Sequence, residues 1–143
     1  IPKWVSSMMN NEPVYINGDG ETSRDFCFID NAVQANILAA TTDNEEALNQ
    51  VYNVAVGDRT TLNQLFELIR ADLATNFRHL HSFEAEYRDF RAGDVKHSLA
   101  DISKAATLLG YSPTHRIGEG IEQALEWYVQ HLDQATPNPD LDD

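Results

Sequence analysis

Tyr15-Ile16-Asn17-Gly18-Asp19-Gly20-Glu21-Thr22-Ser23-Arg24-Asp25-Phe26 is the stretch on which the reading of the fold turns. Val14-Tyr15-Ile16 predicts a short strand, and Asn17-Gly18-Asp19-Gly20 predicts a turn, since glycine reaches positive φ without steric cost. Arg24 to Ile29 alternates toward a second strand with Phe26 and Phe28 on one face. Glycines at such a turn let the backbone approach a ligand. Arg24 just beyond them offers a rigid donor fork that matches a diphosphate. The same residues also read as an ordinary hairpin turn in which Arg24 pairs with Asp25 or Asp30. The spacing alone leaves both readings open.

On the N-terminal side, Ile1, Trp4, Val5, Met8 and Met9 fall near helical spacing, and Asn10-Asn11-Glu12-Pro13 stops that helix. The chain opens without an initiator Met, so it is expected to be an excised or processed piece. On the C-terminal side, Asp30 is placed to cap a helix with an apolar stripe of Val33, Ile37 and Leu38. A polar connector follows. Val51 to Val56 is β-branched and ends at Gly57-Asp58, which makes it the best strand by composition. Thr61 with Gln64 forms a capping-box pattern, opening a helix through Leu62, Leu65, Phe66, Ile69 and Leu73. Phe83 to Phe90 reads as a further strand. Asp101 is expected to cap a helix buried through Ile102, Ala105, Ala106 and Leu109, with Gly110 ending it in the left-handed conformation. The last helix carries Ile117, Ile121, Ala124, Leu125, Tyr128 and Leu132. Residues 1–132 therefore read as one small mixed α/β domain. Residues 133–143 read as a flexible acidic tail, nearly free of apolar side chains. So few short strands make a thin sheet, better packed against a partner domain than alone.

A second basic loop is Phe90-Arg91-Ala92-Gly93-Asp94-Val95-Lys96-His97-Ser98. Arg91 is suited to a phosphate, Asp94 to ribose hydroxyls and Ser98 to a neutral hydrogen bond. The plain reading is a polar loop ahead of a capped helix. Composition bounds the rest. The 10 basic and 23 acidic residues give a net charge of −13, which disfavours nucleic acid and anionic membranes as partners. One cysteine, Cys27, leaves no disulfide framework and points to a reduced, cytoplasmic setting. None of the five histidines has metal-ligand spacing with a second donor, so no metal is expected. His79 and His81 would share one face of a strand. Trp4, Phe66, Trp127 and Tyr128 sit on apolar stripes and read as core.

In this order and at this separation, the two arginine-bearing loops resemble the C-terminal region of extended short-chain dehydrogenase/reductases acting on nucleotide sugars. The likeness runs from Ile1 to about Leu132. Val14 to Asn31, Val51 to Leu65 and Phe90 to Leu109 are most similar to the UDP-N-acetylglucosamine 4-epimerases of bacterial polysaccharide pathways. The resemblance implies a small mixed α/β substrate-binding domain whose NAD-binding Rossmann domain is absent from this chain. It implies that a UDP-sugar lies between the two, with Arg24 and Arg91 on the diphosphate and Asp94 on the ribose. Tyr15 and Asn17 would lie at the uracil and Ser98 near the sugar's N-acetyl group. Asn53 and Gly57 match a strand-turn signature of the family.

The implied chemistry is 4-epimerisation, with a tyrosine base and NAD in the parent enzyme. The family's glycine fingerprint, Tyr-x-x-x-Lys pair and assisting Ser/Thr fall upstream of Ile1, and neither Tyr87 nor Tyr128 has Lys four residues on. No catalytic residue is therefore assigned here. The chain alone is expected neither to hold NAD nor to turn over substrate, and to self-associate as a homo-oligomer. It departs from the family's acidic pair in carrying Asp30-Asn31. A nucleotide-sugar 4,6-dehydratase or decarboxylase, and a non-catalytic binding or self-associating module, are the competing readings.

Overall fold

The computed structural model describes residues 1–132. The expected tail at 133–143 lies outside the described residues. Pro2 opens helix α1 (Pro2–Met9), where its fixed φ suits the first turn, and Val5, Met8 and Met9 point inward. Strand β1 (Tyr15–Asn17) buries Ile16 completely and leaves Tyr15 and Asn17 outside, the period-two consequence of a pleated chain. The turn after it needs its glycines. Gly18 and Gly20 have φ of +79° and +75°, and an added Cβ would run into the Phe90 ring and the Asn63 amide respectively.

Strand β2 (Ser23–Arg24) pairs antiparallel with β3 (Thr60–Thr61), and β1 pairs parallel with β4 (Glu86–Arg88). The sheet is thus two separate two-stranded ribbons. Through Ile16 the β1–β4 ribbon packs on α1, α3 (Leu62–Leu73) and α5 (Ile117–Leu132), β3 leads directly into α3, and α2 (Ile29–Thr41) contacts α4 (Ser103–Leu109). The mixed α/β class expected from the sequence is what the chain adopts.

Helix α3 begins as its sequence requires. Thr61 Oγ1 accepts from the Gln64 N–H at 3.1 Å and Gln64 Oε1 accepts from the Thr61 N–H at 2.9 Å. Its Leu65, Phe66, Ile69 and Leu73 are buried, and with α1, α5 and Ile16 they form the main core. Each such side chain stabilises the fold by about 1.5–3 kcal/mol. A second cluster joins Ala35, Ala105 and Tyr111. Gly110 closes α4 with φ +70°, in the left-handed conformation.

Several expectations are corrected. Val51 to Val56 is not a strand, because no neighbouring strand among the described residues offers it a ladder. Val51 is 86% exposed, and the Val56 and Gly57 N–H groups donate to the Asp25 carboxylate instead. The second strand stops at Arg24, and helix α2 begins at Ile29, placing Asp30 in its first turn rather than at the cap. That helix is also rotated from expectation. Asn31 and Ala35 face inward, while Val33 and Ile37 are 46% and 57% exposed. Strand β4 occupies only three residues of the Phe83 to Phe90 run. Helix α4 starts at Ser103, although Asp101 Oδ1 still accepts from the Ser103 N–H at 2.9 Å, and Ala106 is exposed. His79 and His81 lie on a 3-10 turn (Arg78–Ser82), with His79 Nε2 2.8 Å from the Met8 carbonyl. Trp127 is 55% exposed and stacks on His131 rather than in the core.

Asn31 explains the departure from the acidic pair. Fully buried, it donates from Nδ2 to the His115 carbonyl at 2.7 Å. Its Oδ1 accepts from the Thr114 and His115 N–H groups at 2.8 and 3.1 Å. Aspartate has no donor for that carbonyl. Asn31→Leu keeps the volume but strands three backbone groups, so it is expected to cost about 3 kcal/mol in urea unfolding. A loss under about 0.5 kcal/mol, typical of a surface change, would contradict this.

Candidate functional site

The two basic loops meet along two lengths of backbone. At one end, β1 and β4 align Asn17 with Arg88, and the Gly18 N–H donates to the Arg88 carbonyl at 2.8 Å. At the other, the Ser23 N–H donates to Lys96 O at 2.9 Å and the Ser98 N–H to Ser23 O at 3.1 Å, a parallel bridge between Ser23 and His97. Ser23 Oγ also lies 2.9 Å from His97 Nδ1. Residues 15–25 and 86–98 therefore run side by side, although about seventy positions separate them in the sequence.

Asp25 fastens this arrangement to the rest of the chain. Its Oδ1 accepts from the Val56 N–H at 3.0 Å, and its Oδ2 from the N–H groups of Gly57 at 3.0 Å and Ala100 at 3.3 Å. Asn63 does the same for the glycine turn. Its Nδ2 donates to Asp19 O at 3.1 Å and Glu21 Oε1 at 2.8 Å, while its Oδ1 accepts from the Tyr87 hydroxyl at 2.9 Å.

Within this frame the expected residues fall into three groups. Asn17 and Arg91 line one open groove together with Tyr87, Arg88 and Asp89. Tyr15 lies beside it, its ring covered by the Arg88 guanidinium. Arg24 and Ser98 stand at the far end, next to the bridge, and do not line that groove. Arg24 Nη1 donates to its neighbour's carbonyl, Ser23 O, at 2.8 Å. Asp94 is exposed on a turn between these ends, closed by its own N–H donating to Arg91 O at 3.3 Å, with Gly93 at φ +86°. The expected pairing of Arg24 with Asp25 or Asp30 does not form: among the described residues Arg24 makes no ion pair with either, and Asp25 is taken up by backbone N–H groups. Sequence reasoning missed Arg88, Asp25 and Asn63. Only Asp25 carried a signal, as the neighbour of Arg24.

Tyr111 and Cys27 are poorly suited to chemistry. The buried Tyr111 hydroxyl donates to Ala55 O at 2.7 Å. Burial, with Cys27 beside it, pushes its pKa up to about 12, which makes it a poor general base at neutral pH. Burial likewise raises the Cys27 thiol, so little thiolate is present to act as a nucleophile. Among the described residues no three His, Cys, Asp or Glu side chains gather as a metal site, and no helix is long and apolar enough to cross a membrane. Gly18-Asp19-Gly20 leads into a strand rather than a helix N-terminus, so it does not cradle a dinucleotide pyrophosphate.

Two thin ribbons on a helical core, with basic side chains along one edge, define an α/β lobe that presents loops rather than enclosing a ligand. The chain belongs to the GDP-mannose 4,6 dehydratase family, whose model matches residues 1–124. It is 32% identical to a putative UDP-glucose 4-epimerase of Methanocaldococcus jannaschii, over 89% of this chain and 38% of that protein. A UDP-N-acetylglucosamine 4-epimerase from Methanobrevibacter ruminantium, solved with UDP-N-acetylmuramic acid, superposes with a TM-score of 0.77. Its identity is 38%, and the match covers 90% of this chain and 38% of that one. A mutant UDP-glucuronic acid 4-epimerase from Bacillus cereus, solved with a fluorinated UDP-glucuronic acid and NAD, gives 0.77 at 27% identity. That match covers 89% of this chain and 38% of that one. The chain thus spans about two-fifths of the length of these relatives.

Proposed function

We propose that this chain is the nucleotide-sugar-binding part of an NAD-dependent UDP-sugar 4-epimerase, with UDP-N-acetylhexosamine as the substrate class. The observation that carries the reading is the pairing of residues 15–17 with 86–88 and of Ser23 with His97, which holds the two arginine loops together at both ends. Arg24 and Arg91 take the diphosphate as fork donors, Asp94 accepts from ribose hydroxyls, and Tyr15 and Asn17 meet the uracil. Ser98, beside Arg24, faces the sugar. The chain's part in catalysis is to hold and orient the nucleotide. NAD and the proton-transfer groups are assigned to the remainder of the parent enzyme, a reading supported by the chain's spanning about two-fifths of its relatives' length and by the NAD bound in one of them. The exposed Ile29, Val33 and Ile37 on α2 support a docking face for that portion, and for self-association when it is missing. The epimerase reading is preferred to a dehydratase because of the identities to epimerases reported above.

The test is a titration of the isotope-labelled chain with UDP, followed by amide chemical shifts. Saturable shifts are expected at Asn17, Arg24, Arg91, Asp94 and Ser98. Absence of saturable binding, or shifts confined to other surfaces, overturns the reading. Sequencing the gene upstream of Ile1 provides a second check, where a glycine fingerprint and a Tyr-x-x-x-Lys pair are expected.

A further inference from the structure

Tyr15 and Arg88 occupy the same face of the β1–β4 ribbon, because Asn17 aligns with Arg88 and Tyr15 lies two residues away on the same side. The Arg88 guanidinium carbon stands 3.1 Å above the centre of the Tyr15 ring. Only a guanidinium lying flat on the ring approaches so closely, since an edge-on one would be held off by its own N–H groups. One face of the cation is therefore spent on tyrosine and the other points away from it. Among the described residues the Arg88 side chain makes no hydrogen bond or ion pair, so its donors are uncommitted. Arg88 also lines the groove that holds Asn17 and Arg91. A planar cation resting on an aromatic, with its second face open beside an amide and another arginine, is built to receive a further flat π-system.

We infer that Arg88 is the platform for the nucleobase: the uracil ring stacks on the outer face of its guanidinium, with Tyr15 beneath. This rests on the nucleotide-binding reading above and deepens it. It also revises the part of Tyr15, which acts by holding Arg88 flat rather than by offering its covered face to the base. Asn17, on the same strand face, is in place to bond the edge of the stacked ring, and Arg91 to take the phosphates that follow.

The experiment compares UDP and inorganic pyrophosphate as probes on the wild-type chain, Arg88→Lys and Arg88→Ala. Lysine keeps the charge but has no plane to stack on. Arg88 is exposed, so both variants are expected to keep the amide spectrum of a folded chain. Both are expected to lose about tenfold in UDP affinity, in the range seen for a lost base-stacking contact; Arg88→Lys, which keeps the charge, is expected to leave pyrophosphate affinity unchanged within about twofold, and Arg88→Ala to weaken pyrophosphate less than UDP. An Arg88→Lys chain that binds UDP like the wild type would show that charge alone matters and overturn the inference. Equal losses for UDP and pyrophosphate would make Arg88 a phosphate clamp, which also overturns it. A wild-type chain that binds neither probe sinks the nucleotide reading itself and the inference with it.

Discussion

Asp25→Ala is expected to destabilise the chain by about 3 kcal/mol and to loosen both basic loops together. The carboxylate accepts three backbone N–H groups, from Val56, Gly57 and Ala100. Hydrogen bonds to a charged acceptor contribute roughly 1.5–3 kcal/mol each, but water can replace part of the loss at the exposed Gly57 amide, so the total falls below the simple sum. Asp25→Asn separates the contributions. Its single oxygen can serve one side of the clamp, while its NH₂ turns a donor toward a donor on the other, for an expected loss of about 1–2 kcal/mol. Urea unfolding at neutral pH measures both variants. If Asp25→Ala matches the wild type within about 0.5 kcal/mol, the clamp is not structural. The effect on the site follows from the covalent chain. Asp25 adjoins Arg24, and Ala100 lies two residues beyond Ser98, so this one side chain holds both loops against the 56–57 turn.

How much of this was legible in the sequence depends on how local the cause is. The capping box at Thr61 and Gln64, the stripe through Leu65, Phe66, Ile69 and Leu73, and the left-handed close at Gly110 are set by residues within a few positions. They appear as expected. Val51 to Val56 fails for the opposite reason. Its β-branched composition expresses a preference for a pleated, half-buried surface, and the described residues supply no ladder for it. Helix α2 was recognised, but its buried side was not. Asn31 finds three backbone partners in the 114–115 loop, eighty-three and eighty-four positions away, and this turns Val33 and Ile37 outward. Hydrophobicity alone would have chosen the other face. The site divides the same way. The glycine turn and the loops of Arg24 and Arg91 were readable from residue types. The place of Arg88 depends on the register of β4 against β1, which no local pattern in Phe83 to Phe90 encodes.

Arg91→Ala is expected to weaken UDP binding about thirtyfold, equivalent to about 2 kcal/mol for a lost charged hydrogen-bonding partner. The chain as a whole repels phosphate, with a net charge of −13. Binding therefore requires a local excess of cations, and residues 88–96 hold one, since Arg88, Arg91 and Lys96 outnumber Asp89 and Asp94. The Arg91 side chain makes no hydrogen bond or ion pair among the described residues, so its fork donates to a ligand without first breaking a contact. Arg91→Lys restores the charge without the two-pronged geometry, and is expected to recover only part of the affinity. The loss must extend to inorganic pyrophosphate, unlike that in Arg88→Lys, and must shrink as salt rises, because the attraction is screened over about 8–10 Å at moderate ionic strength. Calorimetric titrations at two salt concentrations decide the matter. If Arg91→Ala weakens UDP while leaving pyrophosphate untouched, Arg91 reads the nucleoside rather than the phosphates. The acidic surface would then have to be overcome elsewhere, with Arg24 as the remaining arginine proposed for the diphosphate.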